Sequence, residues 1–511
     1  MIIPNLNLTR NEIKHHIFNC DSGKIFSKEN YNTYEIKNIK IDICNDINVI
    51  FEIDNDDYHD LTIYNDTPGK RDREYYEKLS APTEFKSIIL ECDFEEYRVK
   101  LINFIGIGIF YGTINSPEVS GKCEYCKLIK NNCEITNNEK IRIWDAYHED
   151  YKISNFFCEK FKNDYLKDKY LISKNRNCEC IDNDIGNALD KSFEEIYPNN
   201  LFLYYESKYI DYSENHDKLI ENIDVLLSFF TSNIKHRRMS IIETINNEKL
   251  EILFKSKNTH KLNGFTIFTP HPNTFINFLD SSYEKYINLN ESNFNIELLI
   301  QYYIWFKNEM YIDIKHLLGS IFIETLIKQY YPDESKKFAY KLNNILKQKL
   351  NLNIYKLFDK FEIGLLNELE ELKDSTMNEL DDYERNISIV LNQFKEFLFI
   401  EIITKYRNKN VHNGEILLND NDLEDIFENS FKKTNKRLNG EKNKIILEIL
   451  CQNKNQIINS QYLKDLNTQN IVLENLMEVI LLKLLDIHCG LLSNKLRPNI
   501  DSKEYIKSLS K

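Results

Sequence analysis

The residues best suited to chemistry lie in the stretch FLFIEIITKYRNKNVHNGE, 397–415, where a mostly apolar run leads into Arg407 and then His412. Arginine is a permanent cation whose planar fork can hold a phosphate through two parallel hydrogen bonds, and histidine can move a proton near neutral pH. RNA cleavage by internal transfer needs a base for the ribose 2′-hydroxyl, an acid for the leaving 5′-oxygen and positive charge on the phosphorane oxygens. Asn408, Asn410 and Asn413 add neutral hydrogen-bonding groups, and Lys405 and Lys409 add local positive charge as candidate RNA contacts. On an ideal helix, Arg407 and His412 would stand roughly 140° apart. The helix must therefore end, tighten or bend around 408–410 if both are to address one phosphate.

Spacing alone is a weak signal, because the chain holds 11 histidines and about one Arg-x(4 to 6)-His match is expected by chance. Arg10 and His15 repeat the spacing, and Arg142 to His148 is one residue longer. Context separates them. Arg10 lies in a polar segment and Arg142 in the strand-like run IRIW, whereas Arg407 follows the helical register Ile387, Leu391, Phe394, Leu398, Ile402. Glu324, a lone acid on an apolar helix stripe, is placed to orient Arg407 or the histidine from a facing helix. The plainer alternative is that Arg407 pairs with a carboxylate of the bundle while His412 caps the helix near Gly414. His316 and His488, among apolar neighbours, read as core histidines.

The elements that must position these groups fall into two classes. From about 34 to 145, runs such as YEIKNIKIDI, INVIFEID, DLTIYND, FKSIILECDF, YRVKLINFIGIGIFYGTI and KIRIWDAY are β-branched and aromatic between polar turns, which predicts a sandwich or barrel-like sheet. After FLYYESKYI comes a helix over about 214–232, then a hairpin with arms MSIIETI and LEILFKS and GFTIFTP as a third strand. From Ile296 the period turns helical, with a long helix at 377–406 and others at 334–351, 421–433, 442–458 and 470–493. The expected fold is α+β: a β-rich domain over 1–285, then an all-α bundle over 286–511.

The Arg-Asn-x-x-x-His arrangement at the end of a long helix, followed by Gly414, resembles the signature of the HEPN ribonucleases, over roughly residues 290–511. The layout of a large β-rich first part before that region, with segments such as LFLYYESKYI and NIDVLLSFFTSNI, is similar to the ApeA-like abortive-infection proteins of bacteria. The resemblance implies an HEPN-type helical bundle and antiphage defence by cleavage of host RNA, with tRNA a candidate. It also implies a homodimer or higher homo-oligomer in which two copies of the motif meet, so that one chain holds half a site. A sensing or restraining role for the first domain, answering to a phage-derived trigger, goes with that layout. The alternative from another class is a non-catalytic RNA-binding or dimerisation module using the same residues.

Composition narrows this further. A net charge of −14 and a pI near 5.5 exclude a surface that grips nucleic acid throughout, so any RNA site must be local. Local basic patches occur at 235–238, at the Lys405, Arg407, Lys409 triplet and at 432–444. No segment reads as a signal peptide, and the longest apolar run, Leu101–Tyr111, is too short to span a bilayer, so a cytoplasmic protein without membrane contact is expected. Eleven cysteines fit a reducing compartment better than a disulfide framework. Cys123, Cys126, Cys178 and Cys180 form two knuckle-like pairs with the ligand count of a structural zinc site, and ordinary buried thiols are the alternative. There is no Walker-type loop and no His-Glu-x-x-His, and two acidic loops lack the glycine and terminal glutamate of calcium loops. No cofactor is therefore expected for catalysis.

Overall fold

A computed structural model describes residues 16–27, 32–43, 46–54, 57, 83–84, 88–113, 116–131, 136–147, 157–173, 201–232, 237–244, 249–255, 268, 272–332, 337–352, 381–409, 418–438, 441–459 and 465–487. The chain divides into two compact units, one comprising 1–224 with 235–261 and the other 225–234 with 262–511. The first holds the strands together with the N-terminal part of one helix and the second is helical, so the fold is mixed α+β.

In the first unit, β1 (His16–Ser27), β2 (Thr33–Ile43), β3 (Ile47–Ile53), β5 (Ile88–Phe94), β6 (Tyr97–Thr113) and β7 (Ser116–Lys130) pair in the antiparallel ring β6-β5-β1-β2-β3-β7-β6, a closed barrel. A two-residue strand, β4 (Thr83–Glu84), adds to β6. Closure removes free edges, and the alternation in β3 sends Ile47, Val49, Phe51 and Ile53 inward. In β2 the phase slips at Asn38, whose left-handed φ of 50° accompanies a bulge between Lys37 and Lys40. Ile36 and Ile39 both face the core as a result.

Strand β7 runs on beyond the barrel. Residues Glu118–Cys123 pair with β3, whereas Tyr125–Ile129 pair with β13 (Lys249–Lys255). The sheet then continues through β12 (Arg237–Thr244), β8 (Lys140–Tyr147), β11 (Leu201–Lys208), β10 (Lys169–Ser173) and β9 (Phe157–Lys160). Helix α1 (Tyr209–Thr231) leaves β11, and its N-terminal part is bound to this sheet by His216, which meets the Tyr205 hydroxyl through Nδ1 at 2.5 Å and the buried Asp145 through Nε2 at 3.4 Å.

The second unit holds α2 (Pro272–Glu291), α3 (Ile296–Asn308), α4 (Ile312–Tyr330), α5 (Phe338–Asn344), α6 (Asp381–Arg407), α7 (Asp420–Arg437), α8 (Glu441–Gln452), α9 (Lys454–Ile458) and α10 (Leu466–Leu484). Its boundary at Lys261/Leu262 falls earlier than residue 285. The physical reason is aromatic packing: Phe275 and Phe278 of α2 and Phe268 close around Phe229 and Phe230, with centroid separations of 4.8–6.2 Å. Long α6 lies against α4, α5, α7 and α8, and α10 lies against α3 and α4. Gly319 of α4 allows the latter approach, since a Cβ there would sit 3.0 Å from Leu473 and 3.1 Å from Phe306. No helix among the described residues is long and apolar enough to cross a membrane.

Candidate active site

Helix α6 carries the expected apolar register into the bundle: Leu391, Phe394, Leu398 and Ile402 are all buried, and Val390, Phe399, Ile403 and Tyr406 widen the stripe. At its end Arg407 is the last α-helical residue, and Asn408–Lys409 form a π turn. The interruption required for Arg407 and His412 to converge therefore begins where the asparagines do. His412, Asn410, Asn413 and Gly414 lie outside the described residues.

Arg407 is held on several sides. Its Nε donates to Glu324 Oε2 at 3.2 Å and its Nη2 stands 3.1 Å from Glu324 Oε1, a bidentate pair from the end of α6 to the middle of α4. Nη1 donates to Asn408 Oδ1 at 3.0 Å, and the guanidinium carbon lies 5.1 Å from the ring centroid of Phe338 at the start of α5. Glu324 also takes Lys328 at 3.0 Å. Burial pushes its carboxyl up, but the bonds from Arg407 and Lys328 outweigh that and hold it below the usual carboxylate range.

The flanking lysines are committed elsewhere. Lys405 Nζ stands 2.9 Å from Asp425 and 3.2 Å from Asp422, and Lys409 pairs with Asp422 on its other oxygen. Asp422 is itself fixed by the capping box it forms with Asn419 at the start of α7. Two cations thus face two carboxylates, and Arg407 is itself paired with Glu324, so each cation of the expected patch has an acidic partner. The patch at 432–444 is likewise threaded with acids: Lys432 meets Glu428 and Lys433 meets Glu401. Of 235–238, residues 235–236 lie outside the described residues, and Arg237 and Arg238 enter β12.

Next to Arg407 in sequence, Tyr406 turns its hydroxyl to polar groups within the core. Gln469 of α10 donates to the Tyr406 hydroxyl at 2.6 Å, and the His316 ring packs on Tyr406 at 4.5 Å. These side chains, with Ser320 and Phe399, line a cavity of about 10 Å³, space for one water. Burial lowers the His316 pKa to about 4, so the ring is neutral at physiological pH, as a core histidine should be.

A second cluster escaped the sequence reading. Lys307 of α3 is buried between Glu474 (2.7 Å) and Glu478 (3.0 Å) of α10, and Tyr303 donates to Glu478 at 3.1 Å. Lys315 approaches Glu474 at 3.8 Å. Its signal was present: Glu474 and Glu478 are four apart in the mostly apolar run LENLMEVILL.

Of the zinc candidates, Cys123 and Cys126 are fully buried on β7 inside the barrel, and burial raises both thiols. Cys178 and Cys180 lie outside the described residues. Among the described residues no group of three or more His, Cys, Asp and Glu is arranged to hold a metal ion. Of the rival arginine–histidine pairs, Arg142 sits in β8 with its Nε 3.5 Å from Glu206, while Arg10, His15 and His148 lie outside the described residues. No protein-family model, no curated protein and no solved structure matches the chain.

Proposed function

We propose that this protein is a metal-independent endoribonuclease of the HEPN type, in which Arg407 holds the scissile phosphate and His412 moves the proton. The observation that supports this is the setting of Arg407. Its guanidinium is fixed by Glu324 at the end of a long buried helix, next to the π turn that leads toward His412. A guanidinium has five N–H donors, more than one carboxylate takes up, so such a clamp orients the fork without exhausting it. Preorganised positive charge is what a developing phosphorane requires.

One histidine cannot readily be base and acid on opposite sides of one phosphate, so the active species is a homodimer in which two copies of the motif face a common cleft. Asn408, which accepts from Arg407, would serve in catalysis beside it, and Asn413 would contact the RNA there. The biological role is antiphage abortive infection through cleavage of host RNA, with tRNA a candidate, and the β-barrel unit would receive the phage-derived trigger. The same Arg407–Glu324 pair also suits a non-catalytic RNA-binding or dimerisation module, in which Arg407 fastens α6 to α4. Incubation of the purified protein with total RNA in EDTA separates the two. Fragments bearing 2′,3′-cyclic phosphate ends are expected from the nuclease, and intact bound RNA would leave only the module.

A further inference from the structure

Among the described residues, the core of the first unit holds four buried cysteines: Cys20 on β1, Cys92 on β5, and Cys123 and Cys126 on β7. Two of them are in contact. Cys92 Sγ donates to Cys20 Sγ at 2.9 Å across adjacent strands, 72 residues apart in sequence. We propose that Cys20 and Cys92 form an oxidisable dithiol, a modification site that hydrogen peroxide converts to a disulfide joining β1 to β5.

The local structure is built for this pair. Gly23 stands opposite Cys92 in the β1–β5 register, and a Cβ at Gly23 would fall 2.9 Å from Cys92 Cβ and 2.6 Å from Ile39 Cδ1. Glu91 O would be closer still, at 2.5 Å, so only glycine fits where β5 approaches β1 beside Cys92. A disulfide requires the sulfurs to approach by roughly 0.9 Å more, to about 2.05 Å. The contact favours Cys20 as the first sulfur to react. As acceptor, Cys20 has its pKa lowered by the bond from Cys92, while the same bond raises Cys92.

The Cys20 sulfur attacks one peroxide oxygen, the O–O bond breaks, and a sulfenic acid and one water result. The Cys92 sulfur then attacks Cys20 Sγ, the S–O bond breaks, and a second water leaves with the Cys92 proton. Two thiols are oxidised and one peroxide is reduced to two waters. The pair is chemically independent of the ribonuclease reading.

The test uses the native full-length protein, with peroxide raised until the exposed Cys451 has been consumed as an internal control. The remaining thiols are then alkylated under denaturing conditions and the peptides mapped by mass spectrometry. A species linking the Cys20 and Cys92 peptides, lighter by two hydrogens and reversed by dithiothreitol, is expected. Cys126→Ser should leave it in place. Full alkylation of both Cys20 and Cys92 after Cys451 has reacted would overturn the proposal, as would a disulfide joining either of them to Cys126 or Cys123 instead.

Discussion

Glu324 and Arg407 show how one contact can carry either a scaffold or a site, and substitution at the acid distinguishes them. Glu324→Gln keeps an acceptor for one guanidinium N–H but loses the bidentate charge. If the pair positions Arg407 for phosphate, RNA cleavage should fall on the order of 10²-fold with the fold retained. An unchanged rate would make the pair scaffolding only. The acid itself was legible, being a lone carboxylate on an apolar stripe. The partners of Lys405 and Lys409 were not, because Asp422 and Asp425 belong to another helix and one-dimensional spacing carries no information on which helices touch. His316 gives the clearest pH dependence. Its folded pKa of about 4 lies below its ordinary 6.5, so between those values the unfolded chain binds more protons. The stabilisation is full above pH 6.5 and is lost as pH falls toward 4, by at most about 3 kcal/mol. Denaturant titrations of His316→Gln should show a flatter pH profile than wild type over that interval, and an identical profile would remove His316 as the cause.

Among the elements, α3 and α10 are joined by charge as well as by apolar packing. Lys307 has 8 % of its side chain exposed and serves both Glu474 and Glu478, so removing it strands two buried carboxylates. Lys307→Met should cost about 3–5 kcal/mol in urea unfolding, and adding Glu474→Gln and Glu478→Gln should recover much of it. A loss below about 1 kcal/mol would mean that water already reaches the cluster. Strands β2, β3, β5, β6 and β8 were legible because each is a run rich in β-branched, aromatic and other apolar residues between polar turns. Strands β1 and β7 were not: the middle of β1 is the polar Asp21-Ser22-Gly23-Lys24, and β7 turns Gly121, Cys123 and Cys126 inward, which reads as a metal knuckle rather than as barrel wall. Helix α2 was missed for a related reason, since its buried face is aromatic and its remainder rich in Asn and Ser.

For the whole molecule, a net charge of −14 requires that RNA affinity come from a local arrangement rather than from bulk attraction. Lys405, Arg407 and Lys409 are all paired with carboxylates, so that affinity must come from the guanidinium N–H groups that Glu324 leaves over and from neutral hydrogen-bonding groups beside them. The order of a β unit before a helical unit was legible in the change of hydrophobic period, but the interleaving of 225–234 with the second unit was not, because only three-dimensional packing assigns those residues. The decisive measurement is the rate of RNA cleavage by Arg407→Ala, His412→Ala and Arg10→Ala, each first shown by circular dichroism to be folded. Losing a positioned charge or proton relay typically costs on the order of 10² to 10⁴ in rate. Arg407→Ala and His412→Ala should each fall by that much while Arg10→Ala cleaves like wild type; undiminished cleavage by either of the first two, or equal loss in the third, would contradict the assignment.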